Sequence, residues 1–192
     1  MHPNTFKTLV QKTRTVRRFH QAHRVKRADL LELVNLARLS ASGGNLQPLK
    51  YILSCDPQRN ARIFPCLAWA GYLKAWGGPV EGERPSAYII ILGDTTIRRE
   101  FGCEHGIAAQ SIMLGATAKG LGGCIIGSIK RELLRAGQAI PVKYEILLVL
   151  ALGRPMEKVI LEAVQAGDIK YWRDVKGRHH VPKRSMREIV LA

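Results

Sequence analysis

The stretch Ser40-Ala41-Ser42-Gly43-Gly44-Asn45-Leu46-Gln47-Pro48 separates two segments whose apolar residues follow different patterns. Before it, residues 28–39 carry apolar side chains at helical spacing, and Asp29 in the first turn complements the helix dipole. After it, residues 49–55 form a mostly apolar run that predicts a buried strand. The stretch is therefore predicted to be a loop that joins a helix to a strand.

Side-chain amides, hydroxyls and glycines are combined in this loop. Such a loop can offer free backbone N–H groups and amides to the polar edge of a heterocycle. A plain helix-to-strand connection is the alternative, and the glycines alone would suffice for it. The loop by itself leaves both interpretations open.

Outward from the loop, helices and strands alternate without the strict order of a parallel βαβ protein. Patterns of apolar residues predict helices over 4–12, 58–67, 103–119 and 130–136, and strands over 87–92 and 146–152. A glycine-rich turn and a short strand are predicted over 120–127. This mixture predicts an α+β fold, and the length suits one domain over residues 1–192. The polar tail after Glu157 contains aromatic residues, which predicts an ordered arm.

Composition narrows the class of protein. The chain has 192 residues, 46% of them hydrophobic and 23% charged, as in soluble globular proteins. Its apolar runs are too short for a membrane helix, and the first residues lack a signal peptide's apolar segment, so we expect a cytoplasmic protein without a membrane partner. The four cysteines are expected to be free thiols, and no His, Cys or carboxylate spacing predicts a metal site. The net charge is +15, but no aromatic residues that could stack on bases lie among the basic runs. This pattern disfavours nucleic-acid binding.

Two further segments could hold an anionic, planar ligand. Arg14-Thr15-Val16-Arg17-Arg18 places guanidinium groups around a hydroxyl, an arrangement that can bind a phosphate. A solvated basic segment is the alternative. Gly122-Gly123-Cys124 would allow main chain to lie against a flat ring, although a tight turn explains the glycines equally well.

Other catalytic motifs are missing from the sequence. There is no Gly-x-Ser-x-Gly elbow, no Walker loop and no dinucleotide fingerprint after a strand. No catalytic acid, base or nucleophile is predicted. The loop from Trp69 to Pro85 is long and rich in aromatics and glycine, and it is expected to be ordered, either as a lid or as part of the packing.

Together and in order, these segments resemble the nitroreductase family of FMN flavoproteins. The arginine-rich opening of the family is matched by residues 13–19, its Asn-x-Gln-Pro loop by 41–48, and its Gly-Leu-Gly turn with the following strand by 120–127. The Leu-Gly-x-Pro strand end is matched by 150–155, and the basic C-terminal signature by 182–190. Thr13, Thr15, Ala41 and Ser185 depart from the residues usual in the family, and Thr15 keeps the hydroxyl of the serine that it replaces.

The resemblance implies a nitroreductase-like fold, with a central mixed or antiparallel sheet flanked by helices. It also implies an intertwined homodimer with a C-terminal arm and two FMN molecules at the interface. The implied cofactor-binding residues are Arg14, Thr15, Arg17, Ser42, Gly43, Gly44, Asn45, Gln47, Gly122, Gly123, Cys124, Lys183 and Arg184.

The implied activity is a ping-pong reduction of nitroaromatic, quinone or related small acceptors by NADH or NADPH. Alternatives on the same fold are a reductive dehalogenase or a flavin-degrading enzyme. A module that binds flavin or nucleic acid without catalysis is a third interpretation.

Overall fold

A four-stranded antiparallel sheet with the strand order β1-β2-β4-β3 lies at the centre of the protein. The computed structural model describes residues 3–191. The strands are β1 (Leu49–Ser54), β2 (Ala87–Asp94), β3 (Gly122–Ile126) and β4 (Tyr144–Gly153). The two strands with the longest apolar runs, β2 and β4, occupy the middle positions, where both faces are covered. Every residue of β2 is buried, which confirms the prediction of a strand buried on both faces.

The first strand corrects one expectation. β1 is present where the sequence predicts a strand, but it lies at an edge of the sheet and is only half-buried. Within β1, Ser54 alone is buried, and Lys50 is exposed. An apolar run predicts a strand without specifying whether it has one neighbour or two.

Helices cover both faces of the sheet. They are α1 (Pro3–Lys12), α2 (Arg27–Arg38), α3 (Pro57–Ile63), α4 (Glu104–Ala118), α5 (Arg131–Gln138) and, in the tail, α6 (Met186–Ile189). The helix predicted over 58–67 is shorter, because a 3₁₀ turn at Phe64–Cys66 ends it. Helices α2 and α4 pack on one face of the sheet, and α3 and α5 lie against the other.

The small residues of α4 allow α2 to approach closely. A Cβ atom at Gly115 would lie 2.3 Å from Cδ1 of Leu36 and 2.9 Å from Cδ2 of Leu33. At the end of this contact, Lys119 Nζ pairs with the carboxylates of Asp29 and Glu32 at 3.2 and 2.5 Å. The sheet and the helix pair together place the segments of the candidate site.

The tail forms a second, three-stranded sheet, which the sequence did not predict. Its strands are β5 (Val159–Ala163), β6 (Trp172–Arg173) and β7 (His179–Lys183), and β7 lies between a parallel β5 and an antiparallel β6. The tail is ordered as expected, and it packs on its own chain. Within residues 3–191, no helix is both long and apolar enough to cross a bilayer.

The loop from Trp69 to Pro85 is ordered by packing, as predicted. The carbonyl of Glu83 accepts a hydrogen bond from Phe19 N at 2.9 Å. At Gly78, a Cβ atom would meet the Trp69 ring at 2.7 Å. The guanidinium of Arg173 lies 4.2 Å from the centre of the Trp76 ring. The loop therefore joins the N-terminal segment to the tail.

Candidate functional site

The structure brings two of the predicted segments together, since Thr15 forms a parallel backbone bridge with Gly123. Val16 N donates to the carbonyl of Gly123 at 2.8 Å. The side chain of Thr15 is exposed beside this bridge. The N-terminal segment is thus extended rather than helical where it meets the edge strand β3.

Both glycines of β3 are needed for the packing of the chain itself. A Cβ atom at Gly123 would lie 2.6 Å from the carbonyl oxygen of Ala151. At Gly122 it would lie 2.8 Å from Pro155 and 3.2 Å from Val16. Close packing against the main chain of Ala151 and the side chains of Pro155 and Val16, rather than a tight turn, explains these glycines. The next residue, Cys124, is a buried free thiol whose pKa burial raises to about 11.

The two arginines of the N-terminal segment contact different groups. Arg14 Nη2 donates to the carbonyl of Val10 at 3.0 Å, so this side chain caps the end of α1, and among residues 3–191 it meets no carboxylate. Arg17 Nη1 lies 3.3 Å from Nε2 of His179, and its guanidinium stands 4.8 Å from the Tyr171 ring centre. Nε of Arg17 is buried and has no hydrogen-bond partner in the described chain. Both cations therefore keep donor capacity for an anion.

A buried carboxylate, which sequence reasoning missed, holds this segment in place. Oε1 of Glu157 accepts the backbone N–H of Arg17 at 2.5 Å and that of Arg18 at 3.2 Å. Oε2 of the same residue pairs with Nη2 of Arg173 at 2.9 Å, and the Glu157 side chain is fully buried. Arg18 in turn pairs with Glu83. A lone glutamate in a polar tail gives no local signal of such a role.

The adjacent histidines of β7 are buried and differ in electrostatics. Burial lowers the pKa of His179 to about 4. The charge of Glu157 raises this pKa, whereas the charges of Arg17 and Arg173 lower it further. The pKa of His180 is raised, chiefly by its hydrogen bond to Glu162, and its ring stacks on Trp172 at 4.1 Å. Both rings are thus buried and have polar partners, His179 in Arg17 and His180 in Glu162 and Asp174. Among residues 3–191, no three His, Cys, Asp or Glu side chains are grouped to hold a metal.

The Ser42–Gln47 loop is exposed and has a fixed backbone shape. Gly44, Asn45 and Gln47 all adopt positive φ angles, of 58°, 53° and 49°. Ser42 Oγ accepts the backbone N–H of Gln47 at 2.9 Å, and Gly43 N donates to Oε1 of Glu104 at 2.6 Å. The side chains of Asn45 and Gln47 are therefore presented to the outside from a preformed turn.

A small cavity of about 150 Å³ lies behind this loop. Ser40, Tyr51 and Glu104 are among its lining residues. Burial and the neighbouring Glu104 raise the pKa of Tyr51 to about 12. Sequence reasoning also missed Glu104, which anchors the loop at the first residue of α4.

Within one chain, the loop and the Thr15–Gly123 bridge lie apart. Gly43 contacts Glu104, while a Cβ atom at Gly123 would meet Met113, nine residues further along α4. At about 1.5 Å per residue, this is an axial separation of about 14 Å. The chain thus brings together the first and third predicted segments but not the second.

The basic C-terminal pair is also separate from the arginine segment. Lys183 is the exposed last residue of β7 and pairs in register with Ala163. The first residue of β7, His179, contacts Arg17. Four residues of strand span about 13 Å. Arg184 is exposed and lies 3.4 Å from Glu188.

These features define an α+β protein with an antiparallel sheet between two helical layers and a cationic N-terminal segment bridged to an edge strand. The sequence pattern of the nitroreductase family matches residues 10–154. The chain belongs to the nitroreductase family.

Solved structures share this fold at low sequence identity. An FMN-dependent nitroreductase from Clostridium difficile R20291 has a TM-score of 0.66 and 21% identity, covering 78% of this chain and 87% of its own. A nitroreductase family protein from Streptococcus pneumoniae TIGR4 has a TM-score of 0.69 and 17% identity, covering 83% and 95%. A candidate NADH dehydrogenase/NAD(P)H nitroreductase from Parabacteroides distasonis ATCC 8503 has a TM-score of 0.66 and 20% identity, covering 86% and 94%.

Proposed function

We propose that this protein is an FMN-dependent oxidoreductase that uses NADH or NADPH to reduce nitroaromatic, quinone or related small acceptors. The observation that carries the proposal is the bridge of the Arg14–Arg17 segment onto Gly123 in a chain of the nitroreductase family. A relative in this family from Clostridium difficile is described as FMN-dependent. When bound, FMN supplies the hydride chemistry, and the protein supplies orientation and electrostatics.

The residues of the N-terminal segment fit a phosphate-bearing cofactor. Arg14 contacts only backbone carbonyls among the described residues, and Arg17 Nε has no partner. Charge-assisted hydrogen bonds from such groups to phosphate are strong, and the exposed Thr15 hydroxyl adds a donor between them. Lys183 and Arg184 are proposed to add positive charge to the phosphate site. Gly122, Gly123 and Cys124 are proposed to contact the flavin ring.

The Ser42–Gln47 loop is proposed to reach the same cofactor from a second subunit. Within one chain it lies about 14 Å along α4 from the level of Gly123, so a homodimer with composite sites would unite the segments. Its preformed turn would present the side chains of Ser42, Asn45 and Gln47 and the backbone of Gly43 and Gly44. Donor and acceptor would then use the same pocket in turn, as in ping-pong kinetics.

The test is a spectrum of the purified protein. We expect flavin absorbance at one FMN per chain, bleaching on anaerobic addition of NADH or NADPH, and recovery when a quinone is added. Sedimentation should give the mass of two chains for the coloured species. A protein that retains no FMN when titrated with it, or a flavin-loaded monomer, would contradict the cofactor and the composite site respectively.

A further inference from the structure

A second cavity is lined by none of the residues proposed to bind FMN. It has a volume of about 680 Å³, which is in the range of small-molecule sites. The end of β1, the start of α3, residues 21–24 and the loop before β2 form its walls. Its size and separate position indicate a site of its own.

Two arginines, Arg24 and Arg84, are the cationic side chains of this cavity. The Arg84 side chain is 38% exposed, so its outer guanidinium nitrogens are accessible although its Nε is buried. Guanidinium nitrogens donate charge-assisted hydrogen bonds to oxyanions.

The charge of the cavity favours an anion. Arg24 lines it and makes no ion pair or hydrogen bond with any described residue. Arg84 pairs with Glu81 at 2.9 Å, but Glu81 also accepts a hydrogen bond from Gln21 Nε2 at 2.6 Å. The lining residues thus include two arginines and one carboxylate, so the cavity keeps an excess of positive charge.

The walls are prearranged and partly apolar. The guanidinium of Arg84 is held 4.4 Å from the Phe64 ring centre, and Gln21 Oε1 accepts the backbone N–H groups of Gly82 and Arg84 at 2.8 and 3.1 Å. Apolar surface comes from the exposed residues Ala22, Pro57 and Ala61. Such a lining suits a ligand with a compact apolar body and one anionic end.

We propose that this cavity binds a small organic oxyanion, a carboxylate or a phosphate monoester, through Arg24 and Arg84. The apolar body of the ligand lies against Ala22, Pro57 and Ala61. This second site is separate from the flavin site, so it does not depend on the proposed redox activity.

The experiment is isothermal titration calorimetry on the FMN-saturated protein in chloride buffer. The probes are benzoate, phenyl phosphate and, as a neutral match for benzoate, benzyl alcohol. We expect at least one anion to bind about tenfold more tightly than benzyl alcohol, the scale of one charge-assisted hydrogen bond. The tighter of the two anions identifies the oxyanion class that the site prefers.

Four variants separate the cavity from the rest of the surface. Arg84→Gln and Arg24→Gln each remove one proposed cation and should weaken anion binding by roughly five- to tenfold. Ala61→Phe, on the exposed side of α3, should obstruct part of the cavity and also weaken anion binding. Arg62→Gln, an exposed arginine outside the cavity, should stay within about twofold of the unsubstituted protein.

The controls keep this proposal distinct from the flavin proposal. The flavin content of all four variants should be unchanged. Equal affinities across the variants, or no anion binding at millimolar concentration, would overturn the second site even if FMN is bound. Anion binding that appears only after FMN is removed would place the anion in the flavin phosphate site and also overturn it.

Discussion

The carboxylate of Glu157 accepts the backbone N–H of Arg17, a residue 140 positions earlier in the chain. This contact fixes the arginine segment through its main chain and leaves the guanidinium available. The same carboxylate pairs with Arg173 of the tail. A single buried acid therefore couples the N-terminal segment to the second sheet.

Glu157→Gln tests this coupling. The amide keeps one acceptor oxygen for the backbone of residues 17 and 18 but leaves the half-buried Arg173 without its counter-charge. Breaking a buried ion pair should cost about 3–5 kcal/mol of unfolding free energy. Urea denaturation measures this cost, with Glu188→Gln as an exposed control that should cost about 0–1 kcal/mol. Equal stability of the two variants would contradict the role of Glu157.

Arg17→Ala should weaken FMN binding if Arg17 contacts the phosphate. Loss of a hydrogen bond to a charged group corresponds to about 1.5–3 kcal/mol. Arg62→Ala, which removes an exposed arginine of α3, serves as the control. Fluorescence titration with FMN measures both affinities, and riboflavin, which lacks the phosphate, should bind the two variants alike. Equal FMN affinities would argue against the phosphate contact.

Gly123→Ala should destabilise the protein because the new Cβ would lie 2.6 Å from the carbonyl of Ala151. Overpacking of this kind costs about 1–3 kcal/mol. Gly127→Ala is the matched control, since its Cβ would find its nearest neighbour at 3.8 Å. Thermal unfolding compares the two. A Gly123 variant as stable as the Gly127 variant would mean that the strand shifts to make room.

Stability should fall on acidification through the titration of His179. Its folded pKa of about 4 lies below the ordinary value of 6.5, so the unfolded chain takes up the proton first. The contribution of neutral His179 is therefore complete above pH 6.5 and is lost as the pH falls towards 4. Glu157, Arg17, Arg173 and His180 are the charged or titratable groups around it.

The measurement is the Tm of the protein and of His179→Gln between pH 7.5 and 4.5. The unsubstituted protein should lose more of its Tm over this range, because glutamine does not titrate. Parallel curves for the two proteins would contradict the assignment of the pH dependence to His179.

Trp76→Ala tests the two interpretations of the Trp69–Pro85 loop. The structure places Trp76 under Arg173, so the variant should lose about 0.5–2 kcal/mol of cation–π energy as well as buried area. If the loop also serves as a lid, FMN should stay bound while the KM for aromatic acceptors rises and that for ferricyanide does not. Unchanged kinetics across acceptors would leave packing as the role of the loop.

The sequence predicts those parts of the fold that depend on neighbouring residues, and it does not predict those that depend on contacts between distant residues. The apolar runs of β2 and β4 predict buried strands because their own residues must be covered. The half-burial of β1 depends on its neighbours in the sheet, which its own residues do not specify. The tail strands are short, and pairing partners such as Val159 and His179 lie far apart in the chain.

The same distinction between local and distant contacts separates the predicted from the unpredicted residues of the candidate site. The sequence predicts the arginine segment, the Ser42–Gln47 loop and the Gly122–Cys124 segment as candidates, because each is a short pattern with its own chemistry. It did not predict Glu157 or Glu104, whose roles arise only from contacts with distant backbone. Bridging of Thr15 to Gly123 is likewise a property of the folded chain.

The buried acid at position 157 also bears on when the arginine segment can take its final shape. A nascent chain acquires residues 14–17 first and Glu157 only after all four strands of the central sheet have been made. Contacts this distant in sequence form late, since the entropy of closing the intervening loop must first be overcome. In refolding followed by pulsed hydrogen exchange, the backbone N–H groups of Arg17 and Arg18 should therefore become protected later than those of β2 and β4.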